Sequence, residues 1–207
     1  DAMSTRTTSL FHTRISSLLN IHRLLPSSII SDVLDMELPL ASKEGFIRQV
    51  LGWREFIHHI HAATDGFRKL PQGAQSIAHE PGDAGYRRWA RKPWPSEVMP
   101  GDPDGGAQPA FLPAQMPLPP AFWGDRSGFA CLDHIVSGVW SEGYSHHITR
   151  LMVLSNLARL LDVSPRELTD WFWVAYTDAY DWVVEPNVLG MGTYAIGELM
   201  TTKPYVS

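Results

Sequence analysis

Tyr144-Ser145-His146-His147-Ile148-Thr149-Arg150-Leu151-Met152 is the stretch that decides how this chain folds. Apolar residues continue at Leu154, Leu157, Leu160 and Leu161, and with Ile148, Leu151 and Met152 they cover nearly every face of a helix. A helix that is apolar almost all round belongs in the middle of a domain. Arg150 cannot shed its charge, and an unpaired buried charge is too costly to keep. A carboxylate must meet it, and Asp178, on the next expected helix, is the acid this reading selects. The residues alone leave a simpler alternative open: a structural ion pair, with two partly exposed histidines at a helix start.

The chain is 207 residues long, 44% hydrophobic and 19% charged, enough for one sizeable folded domain. No apolar run has the length of a membrane span. The first twenty residues mix Arg6, His12 and Arg14 with serines and threonines and carry no signal-peptide core. The single Cys131 excludes an internal disulfide framework and suits a reducing, cytoplasmic compartment. A net charge of −5 argues against generic coating of nucleic acid and leaves room for a local basic patch. Asp1-Ala2-Met3 and Lys203-Pro204-Tyr205-Val206-Ser207 read as cut ends, so the expectation is an internal piece of a longer protein.

The apolar spacing predicts an amphipathic helix over 9–25, a second begun by Ser27 or Ser28 through Leu34, and a third over 44–64. From 65 to 127 the pattern collapses. Eleven of the sixteen prolines lie between Pro71 and Pro120, and proline blocks helix interiors. Aromatic residues in this stretch, Trp123 among them, suggest an ordered loop wrapped over the core. Helices return over about 128–140, through the histidine-bearing segment to Leu161, and over Leu168 to about Asp178. Ser164-Pro165-Arg166-Glu167 reads as a capping box opening the last of these. Asn187 to Met191 reads as a turn, followed by a short helix over Tyr194 to Met200. The class is all-α with a long Pro-rich ordered loop.

Gly45-Phe46-Ile47-Arg48-Gln49-Val50-Leu51-Gly52-Trp53-Arg54-Glu55-Phe56 resembles the Trp-Arg-Glu-Phe signature of the photolyase and cryptochrome family. The histidine-bearing stretch, Asp178-Ala179-Tyr180-Asp181-Trp182, Pro186-Asn187-Val188-Leu189-Gly190-Met191 and Thr202-Lys203-Pro204-Tyr205 narrow the likeness. They resemble the bacterial branch that carries an iron–sulfur cluster and repairs (6-4) photoproducts. The resemblance runs from about Leu10 to the last residue.

It implies a helical FAD-binding domain acting as a monomer on UV-damaged DNA, with an amino-terminal α/β antenna domain and a cysteine-bearing end lying outside 1–207. The family's phosphate-binding pattern maps onto Thr13-Arg14-Ile15-Ser16, with Thr13 and Ser16 as flavin contacts and Asn187 as another. Arg150 and Asp178 correspond to the pair beside the isoalloxazine. His146 and His147 correspond to the pair over the lesion, where histidine suits proton delivery near neutral pH. Trp171 and Trp123 match stations of the tryptophan relay that reduces the flavin under light, while Phe172 and Trp173 are expected to fill core. Trp53 and Tyr205, with Arg87 and Arg88 of the basic cluster Tyr86–Trp94, are expected to meet the DNA. Cys131 corresponds to one of four ligands of a four-iron four-sulfur cluster; taken alone, a cysteine in an apolar helix is usually core.

Other readings compete. His58, His59 and His61 with Glu55 share a helix and suggest metal, although no His-Glu-x-x-His order exists. The Tyr86–Trp94 cluster is either a phosphate-neutralising patch or a solvated loop with its tryptophans packed inward. A cryptochrome-like photoreceptor would bind flavin without repairing DNA. A plain helical domain would bind no cofactor.

Overall fold

Alternating short helices and tight turns carry the chain in the computed structural model, which describes residues 4, 6, 12–70, 107–109 and 111–205. Helix α1 (Ser16–Asn20) is far shorter than the spacing predicted, and the start of the expected segment lies outside the described residues. His22, just after it, adopts φ 55°, a left-handed conformation that side chains avoid. Pro26 then opens α2 (Pro26–Asp35), so Ser27 and Ser28 lie inside that helix and do not cap it.

Helix α3 (Leu40–Ile47) passes through a π-helical turn (Arg48–Gly52) into α4 (Trp53–Thr64), which begins the segment earlier than expected. A 3₁₀ turn (Pro120–Trp123) precedes α5 (Ala130–Glu142). The histidine-bearing segment starts as α6 (His147–Thr149), widens into a π-helical stretch (Arg150–Ser155) and closes as α7 (Asn156–Leu160). Helix α8 (Pro165–Ala175) ends before Asp178, which sits in a turn. Helix α9 (Asp181–Glu185) runs into a second wide stretch (Pro186–Gly192), so the expected Asn187–Met191 turn is helical. A 3₁₀ turn (Gly197–Leu199) replaces the expected Tyr194–Met200 helix.

The fold is all-α: among the described residues the only β pairing is one isolated bridge between Met116 and Val163. No helix among them is long and apolar enough to cross a membrane. Most of the expected long loop, 71–106 and 110, lies outside the described residues.

The main core joins α5, the π stretch after α6, α8 and the Pro120–Trp123 turn around Phe122, Leu132, Val136, Leu154, Leu168 and Trp171. Trp171 is 0% exposed and meets Phe122 edge-on at 5.2 Å. A smaller cluster gathers Phe67, Leu189, Ala195 and Ile196. Between them lies an ion network that the sequence pattern did not announce. Arg166 grips Glu185 with two bonds of 2.8 and 2.9 Å, reaches Asp170 at 2.8 Å and donates to the Ala107 carbonyl at 3.1 Å. A buried guanidinium with three anionic or carbonyl partners ties α8 to α9.

Three expectations are corrected here. The capping box does not form: Ser164 caps with backbone alone, and Glu167 accepts the Leu118 N–H at 2.7 Å instead. Cys131 is exposed, because it falls on the outer side of the first turn of α5. Trp173 is not core filling; it is 36% exposed and its indole reaches Glu185 at 3.3 Å. Phe172, at 4% exposed, does fill core.

Candidate functional site

Gly143 sets the geometry of the site. It ends α5 at φ 61°, where a side chain is strained, and its carbonyl accepts from the Thr177 N–H at 2.9 Å and the Thr177 hydroxyl at 3.1 Å. A Cβ there would stand 2.6 Å from the Thr177 methyl. The absent side chain lets the 177–178 turn lie against the entry to α6, which brings Asp178 within reach of Arg150.

Arg150 and Asp178 form a two-pronged pair, Nη1 to Oδ1 at 2.9 Å and Nη2 to Oδ2 at 3.0 Å. The Ser16 hydroxyl donates to Oδ2 at 2.8 Å, and the Asn20 amide donates to the Asp178 backbone carbonyl at 3.0 Å. Arg150 Nε donates to the Ser145 carbonyl at 2.9 Å. Its guanidinium carbon lies 4.1 Å from the centre of the Tyr176 ring and 5.1 Å from that of Tyr144. The cation is therefore held by a carboxylate, a carbonyl and two π faces. The Tyr176 hydroxyl pairs with Ser145 at 2.8 Å, and burial pushes its pKa up to about 12, so it stays a phenol at neutral pH.

His146 caps α6. Its Nδ1 accepts the Ile148 N–H at 3.2 Å, so the neutral ring carries its proton on Nε2. His12 stacks on it with ring centres 3.6 Å apart. Burial first, then His12 and Arg150, lowers the His146 pKa. His147, the first residue of α6, is exposed to solvent. Burial first, then the Arg150 charge, pulls its pKa down to about 4. Solvent at the open face screens part of that pull. The direction, toward a neutral imidazole, stands.

An aromatic file leads away from Tyr176. Trp171 lies 5.9 Å from it, Trp140 lies 6.5 Å from Trp171, and Trp123 lies 5.9 Å from Trp140. The Trp171 and Trp140 indoles both donate to the Phe122 carbonyl, at 2.8 and 3.0 Å.

The structure thus gathers Ser16, His146, Arg150 and Asp178, with His147 at the rim and Trp171 and Trp123 in one file. Thr13 is exposed just before α1. Asn187 turns its amide to the Val183 carbonyl at 2.6 Å, within its own helix. Trp53 packs 5.5 Å from Phe56, and Tyr205 is 38% exposed; neither shares a hydrogen bond or ring contact with the histidine pair. Arg87 and Arg88 lie outside the described residues. Among the described residues no group of three or more metal-ligating side chains gathers, and His61 instead lies 3.7 Å from Asp181. Cys131 offers one thiol where a four-iron cluster takes four, so this chain does not complete such a site. His12 and Trp140 escaped the sequence reading. The one signal for Trp140 was a tryptophan on the apolar side of α5; His12 carried none.

No protein-family model matches the chain. Over 169 residues, 82% of its length, it is 29% identical to a (6-4) photolyase of Agrobacterium fabrum, and that match spans 26% of the relative. Over 56 residues, 27% of its length, it is 39% identical to an uncharacterized protein of Acanthamoeba polyphaga mimivirus, spanning 46% of that protein. The chain therefore spans about a quarter of the length of the photolyase it matches.

Proposed function

We propose that this chain is the helical FAD-binding part of a light-driven enzyme that reverses (6-4) pyrimidine photoproducts in UV-damaged DNA. The observation that carries the reading is one juxtaposition: two histidines lie at the start of the segment whose Arg150 pairs with Asp178 and rests on Tyr176, the inner end of an indole file. Similarity to a (6-4) photolyase over most of the chain supports it.

The residues fit a planar cofactor that gains negative charge. Arg150 supplies a fixed cation, and the buried Nε2 of His12, stacked beside His146, has no hydrogen-bond partner. Arg150 and Asp178 would hold the flavin's ring system, with Ser16 and Thr13 toward its phosphates and Asn187 nearby. When bound, the flavin supplies an electron that light releases. Arg150 holds a compensating charge in a setting of low dielectric, where it counts for more than in water.

The histidines handle protons. Because its pKa is pulled below the ordinary value, His147 is mostly neutral at pH 7 in the free protein. Negative charge placed beside it, from DNA phosphates and from an electron on the lesion, raises that pKa. His147 therefore becomes an acid only once substrate is present. His146, its Nδ1 occupied, offers Nε2–H. A damaged base must leave the stack to reach such groups, and damage lowers the cost of doing so. Trp53, Tyr205, Arg87 and Arg88 would meet the extruded nucleotide and its backbone. Cys131, exposed on α5, would furnish one ligand of the cluster that the resemblance implies.

The test is light-driven repair of a (6-4)-containing oligonucleotide by wild type, His146→Asn and His147→Asn. General acid catalysis contributes about 10²–10⁴-fold, so His147→Asn should lose repair on that scale while keeping flavin. Wild-type rates in both variants would make the histidines structural. Bound, reduced flavin with no repair by wild type would make the chain a blue-light photoreceptor.

A further inference from the structure

We propose that His12 is a positioning residue for the histidine pair: stacked on His146, it keeps that ring neutral and capping α6, and so assigns the moving proton to His147. The chemistry rests on the repair reading above; the lock on His146 rests on geometry alone. Three anchors hold the segment before α1 over the pair. Arg14 meets Glu142 at 3.1 Å, the Ser16 hydroxyl donates to Asp178 at 2.8 Å, and the Asn20 amide donates to the Asp178 backbone carbonyl at 3.0 Å. The His12 ring then lies on His146 with centres 3.6 Å apart and planes 23° from parallel. Its buried Nε2 has no hydrogen-bond partner. Such a nitrogen costs stability, and a Phe ring would fill the slot without it. What an imidazole adds to the stack is a charge that it can carry.

His146 has one place for a second proton. Its Nδ1 accepts the Ile148 N–H at 3.2 Å, and its Nε2 already carries hydrogen in the neutral ring. Protonation at Nδ1 turns the acceptor into a donor and breaks the cap of α6. His12 opposes that step through the stack, because two imidazolium rings so close repel. Arg150 opposes it from the same helical segment, and burial opposes it as well. The Asp178 carboxylate is taken up by Arg150 and Ser16, and that of Glu142 by Arg14.

His147 stands differently. It is exposed to solvent, and a charge on His146 is one of the influences that hold its own proton affinity down. A neutral His146 removes that opposition. When the substrate brings negative charge, His147 takes a proton from water, gives it to the lesion and returns to neutral. His146 keeps its proton on Nε2 throughout and offers it only as a hydrogen bond.

The experiment follows the His12 and His146 ring protons and the Ile148 amide by NMR across the histidine range of pH, in wild type, His12→Phe and His12→Asn. Repair of a (6-4)-containing oligonucleotide by the flavin-loaded protein is measured over the same range. Phe keeps a flat ring without a charge, and Asn keeps neither. In both variants the His146 midpoint should move up, and the Ile148 amide should leave its cap at higher pH than in wild type. The acid limb of repair should move the same way. In alkaline buffer the urea midpoint of His12→Phe should hold or rise, since the orphan nitrogen is gone. In wild type alone the two rings should titrate as a coupled pair, each signal sensing both steps. Independent single-step curves in wild type, or an unchanged His146 midpoint in both variants, overturn the role of His12. Repair lost equally at every pH, with the acid limb unmoved, overturns it by making His12 a packing residue. A wild type that repairs nothing while His146 and Ile148 shift as expected upholds the lock and overturns the repair reading.

Discussion

Replacing Asp178 by Asn preserves shape and removes one charge. The carboxylate accepts two bonds from Arg150 and one from Ser16, and the two side chains are only 18% and 6% exposed. An amide keeps one acceptor. Its NH₂ group takes the place of one oxygen and there faces an Arg150 N–H donor, Nη1 at 2.9 Å or Nη2 at 3.0 Å. Breaking a buried pair costs about 3–5 kcal/mol. Arg150 retains the Ser145 carbonyl and both tyrosine faces, so the low end, about 3 kcal/mol, is expected. With a urea slope of roughly 2 kcal/mol/M, the unfolding midpoint should fall by about 1.5 M. The assay is urea unfolding at pH 7 followed by circular dichroism, with flavin content measured in parallel. The companion variant is Arg150→Met with Asp178→Leu. Removing both charges should cost less than Asp178→Asn alone, because no unpaired guanidinium remains. A midpoint within about 0.3 M of wild type for Asp178→Asn, or strictly additive single changes, would refute the reasoning.

Two other predictions follow from the site. His147 has a folded-state pKa pulled below its ordinary 6.5 to about 4, so the unfolded chain takes up its proton first. Stability from this residue is full above pH 6.5 and declines as pH falls toward 4; His147→Gln should flatten that decline in urea midpoints, and an NMR-measured pKa at or above 6.5 would contradict it. Gly143→Ala should destabilise by about 1–2 kcal/mol from backbone strain alone, with more from the Thr177 methyl. Thr177→Ser removes that methyl, so in its background the Gly143→Ala cost should shrink; an unchanged cost would show that the close approach is irrelevant.

The Arg150–Asp178 pair was legible because burial leaves a fixed cation no alternative but a carboxylate. The helix around it was less so. An α-helical period across 148–161 made every face look apolar, yet Met152, Leu160 and Leu161 are 36, 59 and 44% exposed. The π-helical stretch Arg150–Ser155 changes the residues per turn, so positions before and after it no longer share one phase. Its width also lets Gly192 approach, where a Cβ would stand 2.7 Å from the Ser155 hydroxyl. Such a turn leaves no residue signature. The Arg166 network was hidden for another reason: Glu185 and the Ala107 carbonyl come from distant segments, and no spacing rule joins them. His12 and Trp140 became visible only when tertiary packing set one ring on another.

The carbonyl of Phe122 holds two indoles at once, and that makes the Pro120–Trp123 turn a latch. Lifting it would break both bonds in one step, and both indole protons would then exchange with solvent as a single event. Pro119 and Pro120 have no N–H of their own, so the latch is held by the two indoles, by the buried Phe122 ring and, just before it, by the Leu118 N–H on Glu167. The local opening energy of one short turn thus governs whether the aromatic file is continuous or interrupted.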